Sequence, residues 1–312
     1  MISTVVSVKV TVGENLIIKK NRLSPDFPTG DEKRICIVSG IYGDELQGQY
    51  VCYEVVKRIK KQYDMLTGIV DVYPSINPFA LEAKTREIPG TEMDMNTLFP
   101  GSPDGSLGEY IAYSLMADME DADFCLDVHS SNLYLHEILQ IRMNDEGVEE
   151  LLPYAKLLNT DMIWVHPSSS VRQGSLAYEL NNRGTKCFVT ESNFAYNINQ
   201  NYCNQLVDGI FALMKELGIW QGRIREPRKT PIVYDDQMSF INSESSGIFV
   251  PKRKVYGKVK EREVIGYIID AMTGSVTEEI LSPRDGMITA MRAYPAIEEG
   301  SLLARVVETD DE

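Results

Sequence analysis

The sequence has no apolar run approaching the roughly 18 residues that a membrane-spanning helix requires. Its first ten residues, MISTVVSVKV, alternate apolar and polar side chains as a strand does. They lack the charged start, apolar block and small-residue cleavage site of a secretion signal, so a cytoplasmic protein is expected. Basic residues are few: 31 Lys and Arg against 46 Asp and Glu give a formal net charge of −15. Such a field repels phosphate backbones and anionic lipid alike, so neither nucleic acid nor a membrane is expected as a partner. The five cysteines (Cys36, Cys52, Cys125, Cys187, Cys203) form no CxxC pair, which argues against a disulfide framework or a structural zinc knot; they read as small buried hydrophobes. Glycine, proline and serine are not in excess, so the chain is expected to fold throughout. No internal repeat is present, which sets repeat architectures aside.

What the sequence does contain is a change of texture. From Lys33 onward, short β-rich runs alternate with helical patterns, the order of strands crossed over by helices in a parallel or mixed sheet. RICIVSG, GIVDVYPSIN, ADFCLDVH, HEILQIRM, TDMIWVH and TKCFVTES read as strands. ELQGQYVCYEVVKRIKKQ, GSLGEYIAYSLMADM, VEELLPYAKLLN and NYCNQLVDGIFALMKELG read as helices. At 312 residues one large and one small domain are expected. The division predicted is an α/β domain over 1–222, a basic, proline-bearing linker over 223–233 and a small all-β domain over 234–312, where short strands are punctuated by turns such as Arg284-Asp285-Gly286.

Four segments carry candidate chemistry. Gly40-Ile41-Tyr42-Gly43-Asp44-Glu45 lies where a buried strand meets a helix, the usual ligand position in open α/β sheets. Neither GxxxxGK(S/T) nor GxGxxG can be written over it, which excludes a phosphate loop; its carboxylates also read as ordinary helix-start residues facing the helix dipole. Asp127-Val128-His129-Ser130-Ser131 ends an apolar strand, and strand alternation puts Asp127 and His129 on one face. A carboxylate beside an imidazole fixes a metal-ligating or acid–base histidine, or forms a structural pair. Glu191, at the carboxyl end of KCFVT, can deprotonate water or be a solvated strand-end glutamate. The long, turn-rich stretch from Thr85-Arg86 to Pro100-Gly101 offers Arg86 as a carbonyl-polarising cation or a surface arginine. No GxSxG elbow is present, which counts against a serine hydrolase.

In this order the four segments resemble the succinylglutamate desuccinylase and aspartoacylase family, a branch of the zinc carboxypeptidase-like hydrolases. The family pattern runs Gly-x-His-Gly-(Asn or Asp)-Glu, then an arginine before Asp-Leu-Asn-Arg-x-Phe-Pro-Gly, then Asp-Leu-His-(Ser or Thr), then a late glutamate. The chain has GIYGDE, TREIPGTEMDMNTLFPG, DVHSS and TESN, which together cover most of residues 35–195. The resemblance implies a carboxypeptidase-like mixed sheet flanked by helices. For the C-terminal part it implies a biotinyl-lipoyl-like β-domain, though no lysine at the RDG turn could carry a cofactor.

Carried over by position, the resemblance implies one divalent ion, zinc foremost, held by Glu45, His129 and the residue at position 42. It makes Glu191 the general base and Arg86 the carbonyl polariser, and places Asn96 and Thr97 at the substrate. A metal-bound water of lowered pKa would then attack the amide of a small N-acyl compound. Two residues depart from the pattern. Tyr42 stands where the family has its first histidine ligand, and a phenol must ionise to bind a metal well. Thr97 stands where the family has the arginine that forks onto a substrate carboxylate, so the substrate either lacks that group or has its charge met elsewhere. His136 and His166 read as structural strand residues. Two functions are therefore expected in competition: a metal-dependent deacylase, or a non-catalytic relative that keeps the cleft for binding or regulation. Self-association into a homo-oligomer stays open.

Overall fold

Strands with apolar residues on both faces need cover on both, and the runs RICIVS and FCLDV, with Ile-Cys-Ile-Val and Phe-Cys-Leu at successive positions, are of this kind. In the computed structural model, which describes residues 1–10, 13–168 and 173–308, both lie at the centre of a large mixed sheet. The strands up to Asn193 are β1 (Ile2–Lys9), β2 (Asn15–Leu23), β3 (Arg34–Ser39), β4 (Ile69–Tyr73), β5 (Phe124–Val128), β6 (Leu135–Asn144), β7 (Met162–His166) and β8 (Lys186–Asn193). Six helices interleave with or follow them: α1 (Gln47–Lys61), α2 (Pro78–Ala83), α3 (Leu107–Met119), α4 (Val148–Ala155), α5 (Leu176–Asn182) and α6 (Gln200–Glu216).

Beyond α6 come β9 (Ile232–Tyr234), β10 (Met238–Asn242), β11 (Gly247–Pro251), β12 (Lys258–Val259), β13 (Val264–Asp270), β14 (Ser275–Leu281), β15 (Gly286–Arg292), β16 (Ala296–Ile297) and β17 (Leu302–Val307), with only a single 3-10 turn at 235–237 among the described residues.

The main path of the sheet runs β1-β2-β4-β3-β5-β8-β6-β15-β17-β10. Strands β4, β3, β5 and β8 are mutually parallel, so their carboxyl ends share one edge. Side-chain alternation sorts the residues into two cores. Ile35, Ile37, Leu126 and Phe188 pack under α1 and α6 on one face. Cys36, Val38, Cys125 and Cys187 pack under α3 and α5 on the other. Helix α1 buries Val51, Cys52, Val55 and Ile59 on one stripe and places Arg58, Lys60 and Lys61 in its last turn, where positive charge suits the dipole. Each such aliphatic side chain contributes about 1.5–3 kcal/mol when fully buried. All five cysteines are buried free thiols, as their apolar surroundings predict.

The C-terminal strands do two things. Strands β14-β13-β11-β16 form a second sheet, and Phe249, Ile265 and Ile268 from it pack against Ile288, Leu303 and Val306 of β15 and β17. Strand β15 also pairs antiparallel with β6, setting Ala290 opposite Glu137, so the large sheet is continuous from the first element to the last. The segment 223–233 contributes the start of β9, which pairs with β7, and the last four residues of 234–312 lie outside the described residues. Among the described residues, no helix is long and apolar enough to cross a membrane.

Candidate functional site

The turn after β3 is shaped by two glycines. Gly40 adopts φ +67°, a conformation that side chains with a Cβ resist. At Gly43 a Cβ would lie 1.8 Å from the Ala80 carbonyl oxygen, so only glycine lets the turn press against α2. The Gly43 amide donates to the Thr85 carbonyl at 2.8 Å. That contact brings Arg86 beside Glu45.

On the neighbouring strand, the His129 amide donates to the Thr190 carbonyl (2.9 Å), which extends the β5–β8 pairing by one residue and sets the imidazole next to the Glu191 strand. Glu45 Oε2 lies 3.0 Å from His129 Nδ1 and accepts the Ser130 amide at 3.0 Å. The other ring nitrogen, Nε2, is 3.0 Å from Asp127 Oδ2, as strand alternation predicts. Burial disfavours charge on His129, but the carboxylates of Asp127 and Glu45 outweigh it and hold the ring well above the usual histidine range. Arg86 Nη1 lies 3.2 Å from Glu45 Oε1 and 3.4 Å from Asp44 Oδ1. Its guanidinium stands 3.7 Å over the Tyr42 ring.

A catalytic zinc takes three protein ligands and a water. Of the three expected here, Glu45 and His129 lie 3.0 Å apart, and the ring of Tyr42 packs 5.8 Å from that of His129. The Tyr42 hydroxyl donates to Asp94 Oδ2 at 3.2 Å, and its ring lies beneath Arg86. Among the described residues no group of three or more His, Cys, Asp or Glu is placed to hold an ion. His136 packs against Phe194 and Tyr202, while His166 stacks on Trp164 with Nδ1 3.2 Å from Asp235, so neither supplies the missing donor. The donors at hand are a carboxylate, an imidazole and a phenol already bonded to a carboxylate, a harder set than the histidine-rich zinc sites, and Arg86 supplies positive charge beside Glu45.

Glu191 lies within β8, opposite Gln140 of β6. Its Oε1 is 3.5 Å from Arg142 Nη1. Burial lifts its carboxyl to about 7; Arg142 and His129 pull it down, while Glu45 and Glu137 push it further up. A carboxylate tuned near neutrality can both take and return a proton. Asn96 lines the same cleft but spends its Oδ1 on the Leu176 amide (3.1 Å), holding the start of α5. Thr97 is exposed and its hydroxyl donates to the Asp94 carbonyl, so it closes a local turn.

The cleft in front of Glu191 encloses about 770 Å³ and is walled by Asn96, Arg142, Trp164, His166, Phe240 and Arg305 among others. Arg142, Trp164 and Arg305 are absent from the sequence-level site. The polar residues Gln140 and Arg142 alternate with Leu139, Ile141 and Met143 in a strand with an apolar stripe, and that alternation is the signal that could have found Arg142.

Comparison with known proteins agrees with this architecture. Residues 31–217 match the family model of the succinylglutamate desuccinylase/aspartoacylase catalytic domain. N-alpha-acetyl-L-2,4-diaminobutyric acid deacetylase of Halomonas elongata is 26% identical over 298 residues, covering 89% of this chain and 83% of the relative. The product-bound structure of the ectoine utilization protein EutE (DoeB) from Ruegeria pomeroyi superposes with a TM-score of 0.84 at 19% identity, over 98% of this chain and 94% of that one. A succinylglutamate desuccinylase/aspartoacylase structure from Rhodobacter sphaeroides gives 0.80 at 20% identity, over 96% and 91%. At those identities the structural likeness speaks for the fold: a large central sheet flanked by helices.

Proposed function

Because the chain belongs to the succinylglutamate desuccinylase/aspartoacylase family, we propose that it hydrolyses the amide bond of a small N-acyl compound, with Glu191 as general base. The observation that carries this reading is the cleft-facing Glu191 carboxyl, lifted to about 7 beside a Glu45–His129 pair. In the first step Glu191 takes a proton from water while the oxygen adds to the acyl carbonyl carbon. The negative charge that develops on the carbonyl oxygen is met by the guanidinium of Arg86. Glu191 then returns its proton to the departing nitrogen as the carbon–nitrogen bond breaks, giving a carboxylic acid and an amine. Asp127 acts through His129, holding its charge and orientation. The deacetylase from Halomonas elongata supports an N-acyl amino acid as the substrate class.

One observation favours a second reading, a cleft that binds without turning over. Tyr42 is committed to Asp94 and Arg86 where the family's pattern has a metal ligand. A screen of N-acetyl and N-succinyl amino acids with purified protein, read by release of free amine, separates the two. Turnover that falls about 100- to 10,000-fold in Glu191→Gln supports the hydrolase. Saturable binding with no turnover supports the binder.

A further inference from the structure

The cleft holds a charge cluster that the reaction outlined above leaves unused. Glu137, buried on β6, accepts from Arg142 Nη2 at 2.6 Å with one oxygen and from Arg305 Nη1 at 2.5 Å with the other. Both guanidiniums stand over one indole, with Cζ 5.5 Å (Arg142) and 5.0 Å (Arg305) from the Trp164 ring centre. Glu137 therefore neutralises one cation of two. Glu191, 3.5 Å from Arg142, neutralises the second only in part, because its carboxyl is lifted to about 7. The Nε atoms of Arg142 and Arg305 are buried without a hydrogen-bond partner. Burial first, then Arg142 and Arg305, press His166 down to about 4, while Asp235, 3.2 Å from its Nδ1, opposes them. Of the nearby carboxylates, Glu150 is paired with Lys186 at 2.7 Å, and Asp235 accepts the Trp164 indole N–H at 2.7 Å and lies 3.2 Å from His166.

A pair of guanidiniums lining the cleft on an aromatic floor, beside a general base, is suited to gripping a carboxylate. We propose that Arg142 and Arg305 form the subsite for a free carboxylate of the N-acyl substrate, doing from β6 and β17 what Thr97 cannot. The subsite rests on reading the cleft as an N-acyl hydrolase site. It makes N-acyl amino acids the favoured class over neutral N-acyl amines, and it takes one of its two arginines from the C-terminal β-segment.

The test is a binding measurement that needs no turnover. The chain has two tryptophans, and Trp220 lies away from the cleft against Phe211, so Trp220→Phe leaves Trp164 as the sole indole reporter. That variant is titrated with N-acetyl-L-norvaline, N-acetyl-L-aspartate and their carboxamides. The acids are expected to shift Trp164 emission and to bind on the order of ten- to hundred-fold more tightly than the amides. Arg142→Gln and Arg305→Gln are each expected to erase that preference, and Arg305→Lys to keep part of it. Glu137→Gln/Arg305→Gln is the companion variant, free of an uncompensated buried carboxylate, should the single change fail to fold. Equal affinity for acids and amides, or no saturable response to either acid, overturns the subsite. Acid-selective binding without hydrolysis would uphold the subsite and remove the hydrolase reading; hydrolysis without acid selectivity would do the reverse.

Discussion

Replacing Tyr42 by histidine tests the account of the site most directly, because it supplies the donor that Glu45 and His129 lack. Two interactions would be lost: the hydroxyl's bond to Asp94, about 1.5–3 kcal/mol for a charged acceptor, and the stacking of Arg86, about 0.5–2 kcal/mol for a partly exposed cation. The metal-free variant should thus be about 2–5 kcal/mol less stable, which at about 2.1 cal/mol/K per residue lowers its melting temperature by roughly 3–8 °C. Zinc should reverse most of this. Binding to the folded state alone adds about 2.7 kcal/mol when the free ion is at 100 times its dissociation constant. Zinc must also displace the proton that Asp127 and Glu45 hold on His129, so its affinity should rise with pH. The assay is paired: elemental analysis of protein prepared without chelator, and thermal melts of wild type and Y42H with and without zinc. Stoichiometric zinc in the wild type, with a melting shift equal to that of Y42H, would refute the claim that Tyr42 leaves the donor set one short.

Three further outcomes are expected. For Glu191 the raised carboxyl means that the folded state holds the proton more tightly, so stability is fully present below about pH 4.5 and is lost as pH rises through about 7; E191Q should remove that slope in urea melts at pH 5 and pH 8, while the wild-type rate should climb with pH to a plateau above about 7. For His129 the raised imidazole likewise contributes stability that is full below its unfolded value of about 6.5 and is lost as pH rises through its folded one; D127N should shrink this contribution and move the ring's NMR titration downward. Gly43→Ala should cost about 3 kcal/mol or more, because the new methyl meets the Ala80 carbonyl at 1.8 Å, and it should slow turnover by displacing Arg86, as melts and kinetics together would show.

The layered sheet was readable from local pattern. The runs RICIVSG and ADFCLDVH are apolar at successive positions, and α1 and α6 have one-sided stripes, so period alone distinguishes buried strands from amphipathic helices. The placement of Glu45 and His129 followed from the rule that parallel strands deliver their carboxyl ends to one edge. What was not readable is long-range. The pairing of β15 with β6 depends on residues some 150 positions apart, and neither strand announces its partner. Arg142 and Arg305 look like the solvent face of two unrelated strands until that pairing and Glu137 bring them together. The short helices α2 and α5, of six and seven residues, are too brief for a period to show. Tyr42 illustrates the opposite limit: its departure was plain, but its commitment to Asp94 and Arg86 required coordinates.

The pairing of β15 on β6 also bears on how this protein can be cut. A fragment ending after α6 would strip the opening residues of β6 of their antiparallel neighbour and present an unpaired edge, a known route to aggregation. It would also leave the Glu137 carboxylate with one guanidinium in place of two. The terminal strands are thus built into the wall of the helical half.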